Sequence, residues 1–411
     1  MTKKRNIIVG QSGGPTSVIN SSLAGVYKTA KERGFDKVYG MLHGIQGLLD
    51  EQYVDLSSQI HTDMELELLM RTPSAFLGSC RYKLPEIHDN PAVYEKIFMI
   101  LDKLGIEAFI YIGGNDSMDT IKKLSDYAII KGHNQKFLGV PKTIDNDLAQ
   151  TDHTPGFGSA AKYIAASTKE VIRDALCLTY NKEMITIIEI MGRNAGWLTG
   201  ATALSRTEEC DGPDLIYLPE LPFDIDKFLN NVKELLKKKH SIVIAVSEGI
   251  KLMDGRYVCE LSGGTNYVDA FGHKQLQGTA AYLASFLSAE IGCKTRSIEF
   301  STLQRCASHM ASRVDINEAF MVGGAAVKAA DEGDTGKMVV IDRVSDDPYM
   351  SAASTYDVHL IANNEKLVPR NWVNQEGNYI TDDFINYIEP LIQGDCQPFM
   401  VNGLPQHLVL K

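Results

Sequence analysis

The chain has no run of eighteen apolar residues free of charge or strong polarity, and this excludes a membrane-spanning helix. Cysteine is scarce and scattered: Cys80, Cys177, Cys210, Cys259, Cys293, Cys306 and Cys396 are odd in number and never form a C-x-x-C pair. Nothing in that spacing points to a disulfide framework or a thiolate metal site, and the thiols read as small apolar residues kept reduced in a cytosolic protein. Positive charge is in deficit, with 41 Lys and Arg against 52 Asp and Glu, so a net charge of -11 turns nucleic acid and anionic membrane away. A small anionic substrate stays open wherever a few Arg and Lys converge. Neither glycine-pair turn, Gly13-Gly14 nor Gly113-Gly114, is set in G-x-x-x-x-G-K-[ST] or G-x-G-x-x-G, so a P-loop and the usual dinucleotide fingerprint are unsupported. Lys3, Lys4 and Arg5 precede an apolar stretch, 7–10, that is too short for a secretory signal and lacks a small-residue cleavage site, which makes a cytoplasmic protein the expectation. Internal repeats and low-complexity linkers are missing as well.

What is there is the balance of an ordinary globular protein, 44% hydrophobic and 23% charged, in 411 residues, a length that favours two or three domains. Strand, glycine turn and helix follow one another repeatedly, the pattern of a doubly wound α/β sheet. The spacing predicts strands at 6–9, 38–41, 108–112 and 137–140, helices at 20–31 and 92–104, and a further helix after Ser117. A glycine-rich loop is expected at 43–47. A second set follows, with a helix at 160–176 and strands at 184–190, 215–218 and 242–246. Two α/β lobes with a cleft between them is the economical reading, and ligands in such sheets sit at the carboxyl ends of the strands. The stretch 254–270 and the tail after Asp334 carry no role that the sequence discloses.

Glycine pairs at strand-to-helix turns let several backbone N–H groups point at one polyphosphate with no Cβ in the way. Gly13-Gly14 and Gly113-Gly114 are two such turns, although an ordinary tight connection, with Asn115 or Ser117 capping the helix, accounts for 113–117 equally well. Pro141-Lys142-Thr143-Ile144-Asp145-Asn146-Asp147 is harder to read as a solvated turn, because it sets a lysine, a hydroxyl and two carboxylates at the end of a strand. Phosphoryl transfer needs these types together: a cation for the moving group, a base for the attacking hydroxyl, and hard oxygens for magnesium.

These segments occur as a set. Gly13-Gly14, Phe76-Leu77-Gly78-Ser79-Cys80-Arg81, Gly113-Gly114-Asn115-Asp116-Ser117, Thr143-Ile144-Asp145-Asn146-Asp147, Met191-Gly192-Arg193, Ser247-Glu248 and Leu303-Gln304-Arg305 resemble, in order, the motifs of the phosphofructokinase family. The resemblance implies that family's fold, two Rossmann-like doubly wound lobes with the active site in the cleft between them. It implies a donor-binding lobe of 1–156 with about 304–370 and a sugar-phosphate-binding lobe of 157–303 with about 371–411. The implied reaction is magnesium-dependent transfer of a phosphoryl group to the 1-hydroxyl of fructose 6-phosphate, in glycolysis or gluconeogenesis. By the same resemblance Asp145 is the proton acceptor, Asp147 the second carboxylate near the metal, and Thr143 the hydroxyl facing the transferred group. Gly14, with Gly13, Gly114 and Ser117, lies against the donor, and Arg81 reaches its phosphates. Met191, Gly192, Arg193 and Glu248 match sugar-phosphate contacts, joined by Thr302, Gln304 and Arg305, the last a guanidinium on the 6-phosphate. Arg296 resembles a phosphate arginine supplied by a neighbouring subunit, which implies a homodimer or homotetramer with a shared site.

Two positions bear on the donor. ATP-using members usually carry glycine at the positions of Asp116 and Lys142, and pyrophosphate-using members aspartate and lysine, so the resemblance implies pyrophosphate. A carboxylate at Asp116 would repel the α-phosphate of a longer donor, while Lys142 would give the leaving phosphate a cation. The chain also departs from the family. A magnesium-binding aspartate is replaced by Asn115, which leaves Asn115, Asp116 and Asp147 as the expected metal ligands. Thr302 stands in place of a histidine of bacterial ATP-type members, and Met184 in place of their subunit-bridging arginine. Three alternatives stand beside the main reading: an ATP-dependent member of the same fold, a kinase acting on NAD or lipid, and a silent sugar-phosphate-binding paralogue. Asn115 favours the last, and retention of both Asp145 and Asp147 opposes it.

Overall fold

The computed structural model describes residues 5–262 and 276–411, so 263–270 of the stretch without a readable role lie outside the described residues. The chain first lays down β1 (Asn6–Gln11), β2 (Lys37–Met41), β3 (Tyr53–Asp55), β4 (Ile106–Gly113) and β5 (Lys136–Pro141). It then builds a second sheet from β6 (Met184–Ile190), β7 (Leu215–Tyr217), β8 (Ser241–Ser247) and β9 (Lys294–Glu299), and returns to the first with β10 (Lys337–Asp346) and β11 (Tyr349–Asp357). The resulting orders are β11-β10-β5-β4-β1-β2-β3 and β7-β8-β6-β9. Every pairing in the second sheet is parallel, and in the first only the edge strands β3 and β11 run antiparallel.

The central strands read as largely apolar runs because both faces of each sheet are covered there. In β1, Ile7 and Val9 join the core under helices Ile19–Glu32 and Arg313–Asp331, while Ile8 points the other way, toward helices Pro91–Lys103 and Asn115–Lys131. Strand β4 alternates likewise, with Ala108, Ile110 and Ile112 on one face and Phe109 and Tyr111 on the other. Each Ile, Val or Phe among them removed from water contributes roughly 1.5–3 kcal/mol. The stretch 43–47, expected as a loop, is instead taken into the helix Gly44–Leu49. Its glycine at Gly47 serves packing, since a Cβ there would fall 1.6 Å from the carbonyl oxygen of Leu42. All seven cysteines are free, and no helix among the described residues is long and apolar enough to cross a membrane.

A buried ionic network locks the β10–β11 hairpin onto the segment that follows β5. The ring of His153 is paired with Asp152 at 2.8 Å and with Glu318, on helix Arg313–Asp331, at 2.6 Å. Glu318 also accepts the hydroxyls of Tyr349 and Ser351 from β11, and Arg343 of β10 reaches Asp152 at 3.0 Å. Burial alone would push the imidazole down, but the two carboxylates overcome it and hold His153 at about 9. Burial would likewise raise Asp152, yet His153 and Arg343 keep it at about 2. Because folded His153 binds its proton more tightly than the unfolded side chain does, its contribution is complete below pH 6.5, fades as pH rises, and is lost above about 9. His153→Gln is therefore expected to destabilise the protein by an amount that narrows steadily between those limits in denaturant melts. A difference that stays constant across that window would remove the charge from this account.

Candidate active site

Five strand ends converge on the cleft between the sheets. β1 is followed by Ser12-Gly13-Gly14, β4 by Gly114 at the mouth of helix Asn115–Lys131, and β5 by the run 142–147. From the second sheet come Met191-Gly192-Arg193 after β6 and Glu248 after β8. Parallel strands linked by crossover helices leave their carboxyl ends open in this way, and that is where ligands bind in such sheets.

The turns are pinned to one another. Gly13 sits at φ 78°, a conformation that favours glycine; its N–H donates to the Cys80 carbonyl at 3.1 Å and its carbonyl accepts the Ser79 hydroxyl at 2.6 Å. Arg81 is thereby held beside the glycine turn. Lys142, only 3% exposed, donates from Nζ to the Gly14 carbonyl at 2.6 Å. The hydroxyls of Ser12 and Ser117 pair and tie the turn after β1 to the one after β4. Within the run after β5, the Asp145 N–H donates to Thr143 Oγ1 at 3.0 Å, which turns that hydroxyl toward the carboxylate.

Two hollows share a wall here. One, of about 550 Å³, is bordered by Gly13, Gly114, Asn115, Asp116 and Ser117; the other, of about 240 Å³, by Met191, Arg193, Asn194, Glu248 and Arg305. Gly14, Arg81, Lys142, Thr143, Asp145, Asp147 and Glu365 border both, so two ligands seated in the two hollows would meet at these groups. The Nε of Arg305 is buried with no hydrogen-bond partner.

Among the expected residues, Gly192, Arg296, Thr302 and Gln304 border neither hollow. Gln304 is committed to the backbone: its Oε1 accepts the Met191 N–H at 3.3 Å and its Nε2 donates to the Ser301 carbonyl at 3.0 Å, so it shapes the turn. Gly192 donates to Glu248 Oε1 at 3.5 Å, and Thr302 is exposed at the start of the short helix Leu303–Cys306. Arg296 lies on the edge strand β9, paired with Asp174 at 3.2 Å. Asn115 has both ends of its amide engaged, Oδ1 by the Asn363 N–H and Nδ2 by the Asn364 carbonyl at 2.8 Å.

That pairing exposes what sequence reasoning missed. Asn363 and Asn364 border the larger hollow and Glu365 borders both, although they lie more than 200 residues beyond the turns they face. The Nδ2 of Asn194 crosses the cleft to Glu365 Oε1 at 2.9 Å. The signal was the Asn-Asn turn itself, with Asn363 at a positive φ of 65°, but nothing in a linear reading says which site such a turn covers.

Charged groups crowd this shared wall. Burial pushes Lys142 down to about 8, against the pull of Asp145 and Asp147. Burial raises Asp145, with Lys142, Arg193 and Arg305 working against it, while burial and the Asp145 charge hold Asp147 up at about 7. Glu248 is raised to about 8 by burial and by Asp145. Carboxyl groups poised near neutrality suit proton transfer to and from a substrate hydroxyl.

Known proteins share this chain's sequence and fold. A profile of the phosphofructokinase family matches residues 6–330. The pyrophosphate–fructose 6-phosphate 1-phosphotransferase of Halomonas elongata is 40% identical over 405 residues, 98% of this chain and 95% of that protein. A sulfofructose kinase of Alkalicoccus urumqiensis is 33% identical over 91% of this chain and 93% of that protein. Among solved structures, a pyrophosphate-dependent phosphofructokinase from Nitrosospira multiformis superposes with a TM-score of 0.89 at 36% identity, covering 99% of this chain and 96% of that one. With the motif turns gathered at one cleft and relatives aligned along nearly its whole length, the chain belongs to the phosphofructokinase family.

Proposed function

We propose that this enzyme transfers a phosphoryl group from pyrophosphate to the 1-hydroxyl of fructose 6-phosphate, reversibly, yielding fructose 1,6-bisphosphate and phosphate in the cytoplasm. The observation that carries the reading is the joint presence of Asp116 and Lys142 in the larger hollow, whose wall of reacting groups it shares with the smaller one. The lobe of 1–156 with about 304–370 takes the donor, against Gly13, Gly14, Gly114 and Ser117 with Arg81, and the lobe of 157–303 with about 371–411 takes the sugar phosphate. Met191, Arg193, Glu248 and Arg305 hold the sugar, and the buried, unpartnered Nε of Arg305 favours an anion there. The partner subunit's Arg296 completes the 6-phosphate end, which makes a homodimer or homotetramer the working form.

The 1-hydroxyl oxygen attacks the near phosphorus, the bond from that phosphorus to the bridging oxygen breaks, the hydroxyl proton passes to Asp145, and phosphate departs. Thr143 faces the transferred group, its hydroxyl 3.5 Å from Asp145 Oδ2, and Lys142 offsets charge on the leaving group. Among the described residues that border the larger hollow, Asp116, Asp145, Asp147 and Glu365 outnumber Arg81 and Lys142, an excess of negative charge that a bare polyphosphate would meet with repulsion. Among the described residues no group of three or more His, Cys, Asp or Glu is gathered to hold a metal by itself. Hard oxygens from Asp116 and Asp147, with the lone pair that the Asn363 N–H leaves on Asn115 Oδ1, fit magnesium, which would neutralise the donor. A coupled assay with fructose 6-phosphate and magnesium tests the reaction, with pyrophosphate in one arm and ATP in the other. Turnover with pyrophosphate alone is expected; turnover with ATP alone would overturn the donor assignment, and silence in both would favour a non-catalytic binder.

A further inference from the structure

Asn146 lies inside the catalytic run, between Asp145 and Asp147, yet has no part in the chemistry above. It is fully buried and held at φ 53°. Its Oδ1 accepts the Thr154 N–H at 3.2 Å, and its Nδ2 donates to the hydroxyl oxygen of Tyr387 at 3.0 Å. Tyr387 belongs to helix Asp382–Ile388, in the tail that the sequence left without a role. Its own O–H donates to the Asp152 carbonyl, its ring rests against Trp197 and Trp372 with centroids 5.4 and 5.3 Å away, and Arg343 donates to its carbonyl at 2.9 Å. Lys366 brings its ammonium to the same hydroxyl at 3.3 Å and to the carbonyls of Thr151 and Asp152, while its backbone N–H donates to the Asp147 carbonyl at 2.8 Å. The turn that carries both carboxylates is thus gripped twice from the tail, by side chain at Asn146 and by backbone at Asp147.

We infer that Tyr387 and Lys366 are positioning residues for the Asp145 and Asp147 carboxylates. A left-handed conformation costs a residue with a side chain free energy, and contacts from Thr154, Tyr387 and Lys366 hold this turn in it. Relaxing the turn would shift Asp145 relative to the substrate hydroxyl, and a displacement of about 1 Å at a reacting group lowers a rate by about a hundredfold. The inference rests on the proposed reaction, so its test reads variants against the wild type in one assay.

Tyr387→Phe keeps the ring packing and removes only the hydroxyl, and Asn146→Gly keeps the left-handed backbone accessible while removing the amide. Each is expected to lower kcat with pyrophosphate by about tenfold to a hundredfold. KM for both substrates should stay within about twofold, with rates normalised to the folded fraction read from thermal melts so that lost folded enzyme is not counted as lost kcat. Because both changes break the Asn146–Tyr387 bond while each also removes a contact of its own, the losses in the double variant should combine to clearly less than their product. Folded variants with kcat within about twofold of wild type, or losses that multiply in the double variant, would overturn the inference. Should Asn146→Gly fail to fold, Tyr387→Phe and Lys366→Met decide by the same kcat and KM split. A silent wild type would overturn the reaction and the purpose of the brace with it, whereas an active wild type with fully active variants would overturn the brace alone.

Discussion

Asp145→Ala is expected to lower kcat with pyrophosphate by about 10²–10⁴-fold, the range that a positioned general base contributes. Binding of fructose 6-phosphate, followed by calorimetry, should change by no more than about twofold, because the base acts on a proton that moves only in the transition state. The structure makes this separation reasonable. The groups that border the sugar-side hollow, Arg193, Glu248 and Arg305, stand on other elements, and Asp145 is held within its own turn by Thr143. Removing Asp145 also relieves Asp147 and Glu248, whose carboxyls its charge pushes up. Both should ionise at lower pH in the variant, so its residual rate should have a more acidic lower limb than wild type. A variant whose turnover stays within about tenfold of wild type would take the base role away from Asp145.

Much of this arrangement is legible in the linear sequence, and the reasons are physical. β6 follows its expected span, 184–190, residue for residue, because a strand buried on both faces must be apolar throughout. The glycine pairs mark the turns because the backbone must pass close to a ligand there, and the run after β5 stands out because charge is concentrated at a strand end. β9 escaped notice since Lys294, Arg296 and Glu299 break any apolar pattern on a half-exposed edge strand. The β10–β11 hairpin escaped for a related reason: β11 alternates between partly buried and exposed Ser, Ala and Thr, a weak signal beside the aliphatic strands. Within the site, Asp145 and Lys142 could be singled out by type, whereas Glu365 and Tyr387 could not. Their roles exist only through contacts with turns far back in the chain, and a lone carboxylate or tyrosine in a tail has many bland explanations. Gln304 shows the converse, a motif residue whose polar atoms are spent on the backbone of its own neighbourhood.

Replacing Asp116 and Lys142 together by glycine is expected to lower kcat/KM for pyrophosphate by about 10²–10³-fold or more, the loss typical when a preorganised charge is removed from a site of phosphoryl transfer. Lys142 carries the larger share. It is almost wholly enclosed, it holds the Gly14 carbonyl, and it is the cation nearest in sequence to Asp145 and Asp147; without it the excess of carboxylates in the larger hollow grows. Asp116 alone should matter less to the pyrophosphate rate, because Asp147 and Asn115 still offer magnesium their oxygens and Lys142 still offsets charge on the leaving group. The single variants should therefore rank with Lys142→Gly well below Asp116→Gly in kcat/KM. Gain of ATP turnover is not required, since Asn363, Asn364 and Glu365 still border the same hollow and Asn115 still binds two of them in place. Thermal melts should accompany the rates, because removal of Lys142 leaves the Gly14 carbonyl without its donor. If the folded double variant retained pyrophosphate turnover within about tenfold of wild type, Asp116 and Lys142 would lose their place as the donor selector, and the segment at 363–365 would be the next set of residues to replace.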